Sequence, residues 1–297
     1  MDADGEATTR ERLAQQFRAL GVARGETLMV HASIRAVGTV AGGAPTILQA
    51  LLDSVGRDGT LMGFASWQHS PYEETLDRSG LDRSGLDGSR LDAGQLTPAQ
   101  REVWPAFDPS NAPVYAGFGM FNELLRQEPG SCRSPHPDAS MVAIGPRARW
   151  LTQRHDFDDA YGPTSPLARL VQASGRVLLL GAPLDAVTVL HLAEALARIP
   201  GKRRVSYEMP ILDAAGHKQW MRCGNFDSNG ILDRFAQPGQ MDAVETIARA
   251  YVEAARAEGR PYCTGMVGDA HCHLLDARDL VAFGVRWLED RFAAPGG

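Results

Sequence analysis

The chain has 297 residues, of which 44% are hydrophobic, and its formal net charge at pH 7 is -6. This composition predicts a globular protein with a sizeable core, and the acidic balance disfavours nucleic acid as a partner while suiting a cationic small molecule. No apolar run approaches the roughly 20 residues that span a bilayer, and the polar N-terminus is unlike a secretory signal, so we expect a cytoplasmic protein with no membrane partner. The four cysteines form no CxxC pair, which predicts reduced thiols and no thiolate metal site.

The first third of the chain predicts a βαβ unit. An amphipathic helix is expected over residues 8–20, ended by Gly21. A buried strand at 27–30, a helix at 45–55 and a second buried strand at 60–64 follow. In such units ligands bind beyond the carboxyl ends of the strands.

The residues that follow these two strands are therefore candidates for a site. His31 and Ser33 leave the first strand among small residues, which let a ligand approach the backbone, although a simple strand-to-loop turn explains them equally well. Trp67 follows the second strand and is expected to form an aromatic wall. Residues 72–100 carry an imperfect LDRSG repeat, which predicts an inserted exposed loop or lid without a catalytic role.

The remaining elements are predicted from periodicity and capping. Ser165 caps a helix that starts at Pro166. The other expected elements are a helix at 118–126, a strand at 140–144, a β-hairpin at 203–222, a helix at 241–258, and a short strand followed by a helix at 277–292. With no linker evident, residues 1–297 are interpreted as one compact α/β domain.

The chain is organised around residues 177–194, VLLLGAPLDAVTVLHLAE. A buried strand at 177–180 ends at a glycine, and we expect a helix to begin near Asp185 as its N-cap. His191 and Glu194 then share one face, with Thr188 a turn earlier. A carboxylate can fix the tautomer of an imidazole and leave its other nitrogen free to take a proton. Such pairs are often only surface pairs, but apolar neighbours predict that this helix is buried.

Six segments together resemble the antibiotic 3-N-acetyltransferases, the aminoglycoside-modifying family that uses acetyl-coenzyme A and is not built on the GNAT fold. The match spans nearly the whole chain. The segments are HASIRAVG, ILQALLDxxGxDGTLM, CRSxxPxASMVAxG, YGxxSPLARL, LLLGAPLDxxTxLHxAE and VGDAxxxLxxxxDL. The resemblance implies a single α/β unit in which helices flank a mixed central sheet. It also implies direct N-acetylation of the 3-amino group of the 2-deoxystreptamine ring in a ternary complex, which confers resistance and needs no metal.

The resemblance also implies roles for individual residues. His191 would be the general base, Glu194 would orient it, and the Thr188 hydroxyl would help to hold the thioester oxygen. The residues expected at the coenzyme are His31, Ser33, Ile34, Arg35, Val37, Gly38, Arg133, Ser134 and Ser165. The residues expected at the cationic antibiotic are Trp67, Glu123, Asp185 and Asp269. The LDRSG insertion departs from the family and leaves open which aminoglycosides fit.

Other interpretations compete with this one. Asp269, His271 and His273 offer a D-x-H-x-H pattern for a metal-dependent hydrolase. A protein that sequesters cationic antibiotics without modifying them would keep the acidic residues but have no need for His191 and Glu194. His136 lies between two prolines, where we expect a structural or coenzyme-contacting role. Covalent catalysis through Cys132 or Cys223 lacks a local base.

Overall fold

The computed structural model describes residues 7–69, 96–202, 204–226 and 240–292. The strands are β1 (Thr27–Ala32), β2 (Thr60–Phe64), β3 (Cys132–Arg133), β4 (Met141–Ile144), β5 (Arg176–Leu180), β6 (Arg204–Leu212), β7 (Lys218–Phe226), β8 (Tyr262–Val267) and β9 (Ala270–Asp276). The α-helices are α1 (Arg10–Leu20), α2 (Ala44–Val55), α3 (Pro98–Val103), α4 (Met120–Gln127), α5 (Ala148–Thr152), α6 (Pro166–Gln172), α7 (Leu190–Leu196), α8 (Ala243–Glu258) and α9 (Ala277–Phe292).

Within the described residues, a mixed sheet has the strand order β3-β4-β2-β1-β5-β9-β8. Its centre is parallel, because β1 pairs in parallel with both β2 and β5. The outer pairs, β2 with β4, β3 with β4, β5 with β9 and β8 with β9, are antiparallel. The expected mixed central sheet is therefore confirmed. The carboxyl ends of β1, β2 and β5 lie side by side at one edge, which brings the loops that follow them together.

Helices cover both faces of this sheet. Along each central strand the side chains alternate between two cores, so that Leu28 and Val30 join one and Met29 joins the other. The first core packs against α1, α2 and α4, and the second packs against α5 to α9. Strands β6 and β7 form a separate two-stranded sheet with its own aromatic core. The expected arrangement of helices around a central sheet is thus confirmed.

Local sequence signals set the boundaries of several helices. Helix α1 starts after Thr9, whose hydroxyl accepts the N–H of Arg12, and ends at Gly21 in the left-handed conformation. Helix α6 starts after Ser165, whose hydroxyl accepts the N–H of Ala168. These caps satisfy backbone groups that the helix itself leaves unpaired.

Two expectations about elements were wrong. One short strand was expected before the last helix, but β8 and β9 form a hairpin there, turned by Gly268 at φ +55°. Strand β8 lies at the sheet edge and its side chains are mostly exposed, so it lacks the apolar alternation of a core strand. The helix expected at 118–126 is divided into a 3-10 turn, Ala116–Phe118, and α4, because Gly119 between them has φ +81°.

Of the insertion predicted at 72–100, residues 72–95 lie outside the described residues. The remainder leads into α3, which begins with a capping box formed by Thr97 and Gln100. No helix in the described part of the chain is both long and apolar enough to cross a membrane.

Candidate functional site

The loop after β5 carries the central pair of residues, but not on the helix that the sequence predicts. A 3-10 turn, Leu184–Ala186, comes first, and α7 begins only at Leu190. The expectation that Asp185 caps one continuous helix is therefore wrong. Val187 and Val189 are both fully buried. Val187 has φ -74° and ψ 72°, the conformation of an inverse γ-turn, which interrupts a helix. Thr188 consequently precedes the helix of His191.

The carboxylate of Glu194 holds the imidazole of His191. Nδ1 of His191 lies 2.7 Å from Oε2 of Glu194, three residues further along α7. The Glu194 side chain is 4% exposed and the His191 side chain is 35% exposed. A buried carboxylate thus fixes a partly exposed ring by its Nδ1 atom.

An aromatic wall stands beside this pair. The rings of Tyr161 and His191 are stacked, with centroids 4.8 Å apart and planes inclined at 29°. The ring centroid of Phe64, the last residue of β2, lies 6.5 Å from that of Tyr161 and 4.8 Å from that of Phe118. The sequence reasoning missed all three residues. Both Phe64 and Tyr161 have a recognisable signal, since Phe64 ends a predicted strand and Tyr161 begins the segment YGxxSPLARL.

Trp67, which was expected to form that wall, lies elsewhere. Its side chain is 1% exposed and belongs to the core beneath the β6–β7 hairpin, with Phe107 and Tyr207. Its ring packs edge-on against Phe107 at 5.7 Å. Trp67 is therefore a core residue of this part of the structure.

Carboxylates from the start of α8 and from the 3-10 turn before α7 interact with one another. Asp242 caps α8 by accepting the N–H of Glu245 at 2.6 Å. Burial raises the pKa of Asp242, the charges of Asp185 and Glu245 raise it further, and His191 lowers it. Burial also raises the pKa of Asp185, with Glu245 adding to the effect. These electrostatic interactions place Asp242 near His191, and Asp185 and Glu245 near Asp242, in an acidic group that favours a cationic ligand. The sequence identified Asp185 alone.

The HASIR segment forms the loop after β1. Residues Ile34–Val37 make a 3-10 turn that is tied to the sheet by the N–H of Ser33, which donates to the carbonyl of Leu180 at 2.9 Å. Val37 is buried, Ile34 is half-buried, and Arg35 and Gly38 are exposed.

Asp269 lies against the HASIR turn, away from the acidic group just described. Its N–H donates to the carbonyl of Val37 at 3.0 Å. A Cβ atom on Gly38 would stand 2.1 Å from Oδ2 of Asp269. The predicted antibiotic residue Asp269 therefore adjoins residues predicted for the coenzyme.

His31 is buried at the carboxyl end of β1. Burial and the neighbouring His191 together lower the pKa of His31 to about 4, so its ring is neutral at pH 7. Its Nε2 atom has no hydrogen-bond partner among the described residues.

Three polar residues that were predicted to contact the coenzyme form hydrogen bonds within the protein. Burial lowers the pKa of Arg133 to about 9, and its guanidinium donates to Ser140 and to the carbonyls of Ala65 and Ala112. Ser134 is buried and accepts the N–H of Met141 at 2.9 Å. Ser165 is likewise buried and caps α6. A ligand that used these side chains would have to displace those bonds.

Glu123 is the most fully engaged of the predicted antibiotic residues. Its carboxylate accepts hydrogen bonds from the backbone of Val114 and from the side chains of Arg126 and Gln127. Although burial opposes the effect, these bonds lower the pKa of Glu123 to about 2. Glu123 is thus ionised at pH 7, and its charge is largely balanced by Arg126.

Two residues of the metal interpretation are neighbours, because the ring centroids of His271 and His273 lie 4.8 Å apart. His271 is bonded to Thr264 at 3.1 Å and His273 to Tyr262 at 2.8 Å. The N–H of Asp269 is bonded to the carbonyl of Val37 in the HASIR turn. In the part of the chain that the structure describes, no three His, Cys, Asp or Glu side chains are grouped as metal ligands.

His136 and the two cysteines are also placed by the fold. His136 is fully buried, and its Nδ1 accepts the N–H groups of Asp138 and Ala139. Burial raises the pKa of the Cys223 thiol. Cys132 is partly buried in β3, and its Sγ lies 3.9 Å from the carbonyl of Gly130. These contacts favour structural roles for His136 and Cys223.

Comparison with known proteins gives consistent results. Residues 29–289 match the family model described as aminoglycoside 3-N-acetyltransferase. The aminoglycoside N(3)-acetyltransferase III of Salmonella sp is 51% identical over 286 residues, covering 96% of this chain and 93% of the relative. The structure of AAC-VIa bound to sisomicin is 47% identical with a TM-score of 0.84, covering 97% of this chain and 100% of that one. The binary complex of AAC-IIIb with CoASH is 40% identical with a TM-score of 0.82, covering 98% and 100%.

Proposed function

Because the chain belongs to the aminoglycoside 3-N-acetyltransferase family, we propose that it transfers an acetyl group from acetyl-coenzyme A to the 3-amino group of the 2-deoxystreptamine ring of aminoglycosides. The transfer inactivates the antibiotic and confers resistance. The observation that carries the proposal is the pair of His191 and Glu194, joined at 2.7 Å at the ligand-binding edge of the sheet and flanked by carboxylates.

His191 acts as the general base. The ligand amine is deprotonated as its nitrogen attacks the acetyl carbon, so the N–C bond forms, the C–S bond breaks and the proton passes to Nε2 of His191. Glu194 holds Nδ1 and stabilises the imidazolium that results. The proton then leaves with the thiol, and the imidazole is neutral again.

The acidic group binds the other ammonium groups of the antibiotic. Asp185, Asp242 and Glu245 provide negative charge next to the base, and the chain as a whole carries a net charge of -6. Amines held by carboxylates stay protonated, whereas the amine at His191 is the one that loses a proton. This arrangement orients the substrate as well as attracting it. Trp67, Glu123 and Asp269 remain predictions as antibiotic contacts.

Acetyl-coenzyme A supplies the activated acetyl group. The loop after β1 suits such a ligand, because Arg35 is exposed and Gly43 has positive φ with no atom nearer than 4.0 Å to the place of a Cβ. We assign Ser33 and Ile34, which are partly exposed, to the same contact, whereas Val37 is buried in the core below the turn and remains a prediction. Thr188 lies two residues before α7, and its long 3.4 Å bond to the carbonyl of Ala186 is one that a thioester oxygen can displace.

Transfer is direct, from coenzyme to antibiotic in a ternary complex. The thioester is already activated, so the protein has to align two substrates and manage one proton. Among the described cysteines, Cys223 and Cys272 are buried, and burial raises the pKa of both thiols. Neither is suited to form an acyl-enzyme.

The test is thiol release from acetyl-coenzyme A in the presence of gentamicin, with the acetylated position of the product determined by NMR. We expect His191→Ala to lower kcat by about 10²- to 10⁴-fold, the range for a general base. Glu194→Gln should also lower kcat, and the double variant should be no worse than His191→Ala, because the two residues act as a unit.

His217→Ala is the matched control. His217 also faces a carboxylate, with Nδ1 3.7 Å from Asp213, but it lies on the exposed β6–β7 turn. Its kcat should equal that of the wild type. Full activity of His191→Ala would contradict the assignment of the base. Antibiotic binding without thiol release would favour a sequestering protein, and loss of activity after chelation would favour a metal enzyme.

A further inference from the structure

The imidazole of His191 is contacted at its edge by Glu194 and on one face by Tyr161. The carboxylate bonds to the ring edge at Nδ1, at 2.7 Å. The ring of Tyr161 covers one face, with a centroid distance of 4.8 Å and an inclination of 29°. The hydrogen bond fixes the position of one ring atom, whereas the stacked ring restricts tilting of the whole imidazole plane.

We propose that Tyr161 is a positioning residue for acetyl transfer, which fixes the plane of the His191 ring and stabilises its imidazolium form through its π face. The proposal rests on the proposed function of His191 as the base. As the amine proton passes to Nε2, positive charge develops on the imidazole directly beside the Tyr161 ring. The face of an aromatic ring attracts a cation, so the contact is stronger after proton transfer than before it.

Tyr161 can act in this way because its own position is fixed. The preceding residue, Ala160, donates its N–H to the carbonyl of Gly224 at 3.3 Å and accepts from Nε2 of His155 at 2.7 Å. On the other side, Thr164 donates its N–H and its hydroxyl to the carboxylate of Asp159, which closes the loop around Gly162. The backbone on both sides of Tyr161 is therefore anchored.

Other charged and titratable groups also face His191. They are Glu194 on the same helix, His31 on β1 and Asp242 at the start of α8. None of them changes when the uncharged ring of Tyr161 is replaced by another uncharged side chain. The contribution of Tyr161 can therefore be separated from theirs by substitution.

The test is a direct titration of His191 by NMR in protein labelled at histidine, with the signal assigned by its loss in His191→Ala. We expect Tyr161→Leu to lower the midpoint by about 0.4 to 0.7 pH units, which corresponds to a cation–π contact at a partly exposed site. Tyr161→Phe keeps the ring and should titrate like the wild type. In the same proteins, kcat should fall by about 2- to 10-fold in Tyr161→Leu with KM unchanged, and recover in Tyr161→Phe.

Two further variants keep the test decisive. Tyr115→Leu removes a ring that contacts Phe118 at 5.1 Å in the same aromatic wall, and it should leave the His191 midpoint unchanged. If Tyr161→Leu does not fold, Tyr161→Met removes the ring with a more adaptable side chain. An unchanged midpoint in the ring-deficient variants overturns the proposal. So does an equal loss in Tyr161→Phe, which would assign the effect to the hydroxyl.

The NMR readout does not depend on activity, so the two proposals fail separately. If His191→Ala retains its acetyltransferase rate, the proposed base is wrong whatever the titration shows. If His191→Ala is inactive but the titration is insensitive to the Tyr161 ring, His191 remains the base and the role of Tyr161 is refuted.

Discussion

Substituting Lys202 should separate the stability of the protein from its catalysis. The ammonium group of Lys202 donates to the carbonyls of Glu194 at 2.6 Å and Ala197 at 3.0 Å, and also to that of Ala195. These carbonyls belong to the C-terminal end of α7, where a helix has no backbone donors of its own. Lys202 thus anchors the helix that carries His191, and Lys202→Met removes the anchor without adding bulk.

The expected magnitude follows from these contacts. A hydrogen bond from a charged donor contributes about 1.5–3 kcal/mol, but Lys202 is only partly buried and water can replace it at the carbonyls. We therefore expect a total loss of about 2–3 kcal/mol in the free energy of unfolding and a fall in Tm of about 4–8 °C. Loosening the last turn of α7 also displaces Glu194 from His191, which should lower kcat by about 5- to 50-fold.

A second lysine provides the control. Lys218 donates to the carbonyls of Arg101 at 2.9 Å and Trp104 at 3.0 Å, and so ends α3 in the same manner, far along the chain from the pair of His191 and Glu194. Differential scanning calorimetry should show that the Tm of Lys218→Met falls by a similar amount to that of Lys202→Met. Thiol-release kinetics should show that Lys218→Met keeps the wild-type kcat. The role of Lys202 is refuted if Lys202→Met has the same Tm as the wild type, or if kcat falls equally in both variants.

Three further outcomes are expected. The pKa of Glu123 is about 2 in the folded protein, against an ordinary value of 4.5. The stabilisation by its carboxylate is therefore complete above pH 4.5 and is lost as the pH falls towards 2. Over that range the urea midpoint of Glu123→Gln should decline less steeply than that of the wild type. Burial lowers the pKa of His155 from 6.5 to about 4, so the protein loses stability as the pH drops from 6.5 to 4. His155→Asn should therefore reduce the proton uptake on unfolding in that pH range by up to about one proton. Calorimetry in buffers of different ionisation enthalpy measures this uptake. Gly38→Ala adds a Cβ atom 2.1 Å from Asp269 at a residue with φ +82°, and it should raise the KM for acetyl-coenzyme A by more than about tenfold. The control is Gly130→Ala, where φ is +87° and no atom lies within 4 Å of the added Cβ. This control should leave the KM unchanged.

The sequence determined the local structure because the signals are short in range. A cap and its helix are neighbours in the chain, which is why Ser165 and Gly21 marked boundaries that the structure confirms. Buried strands appear as short apolar runs, so 60–64 and 177–180 were found within one residue. The spacing of His191 and Glu194 is likewise local, and their contact follows from one turn of helix.

The composition of the site was decided by tertiary structure. Tyr161 meets His191 across 30 positions of the chain, and Asp242 reaches it from α8, so no local pattern links these groups. The same packing withdrew Trp67 into a core and engaged Arg133 with backbone carbonyls. A side chain's type shows what chemistry it can perform, but its burial and partners are set by elements distant in sequence, and these decide whether that chemistry faces a ligand.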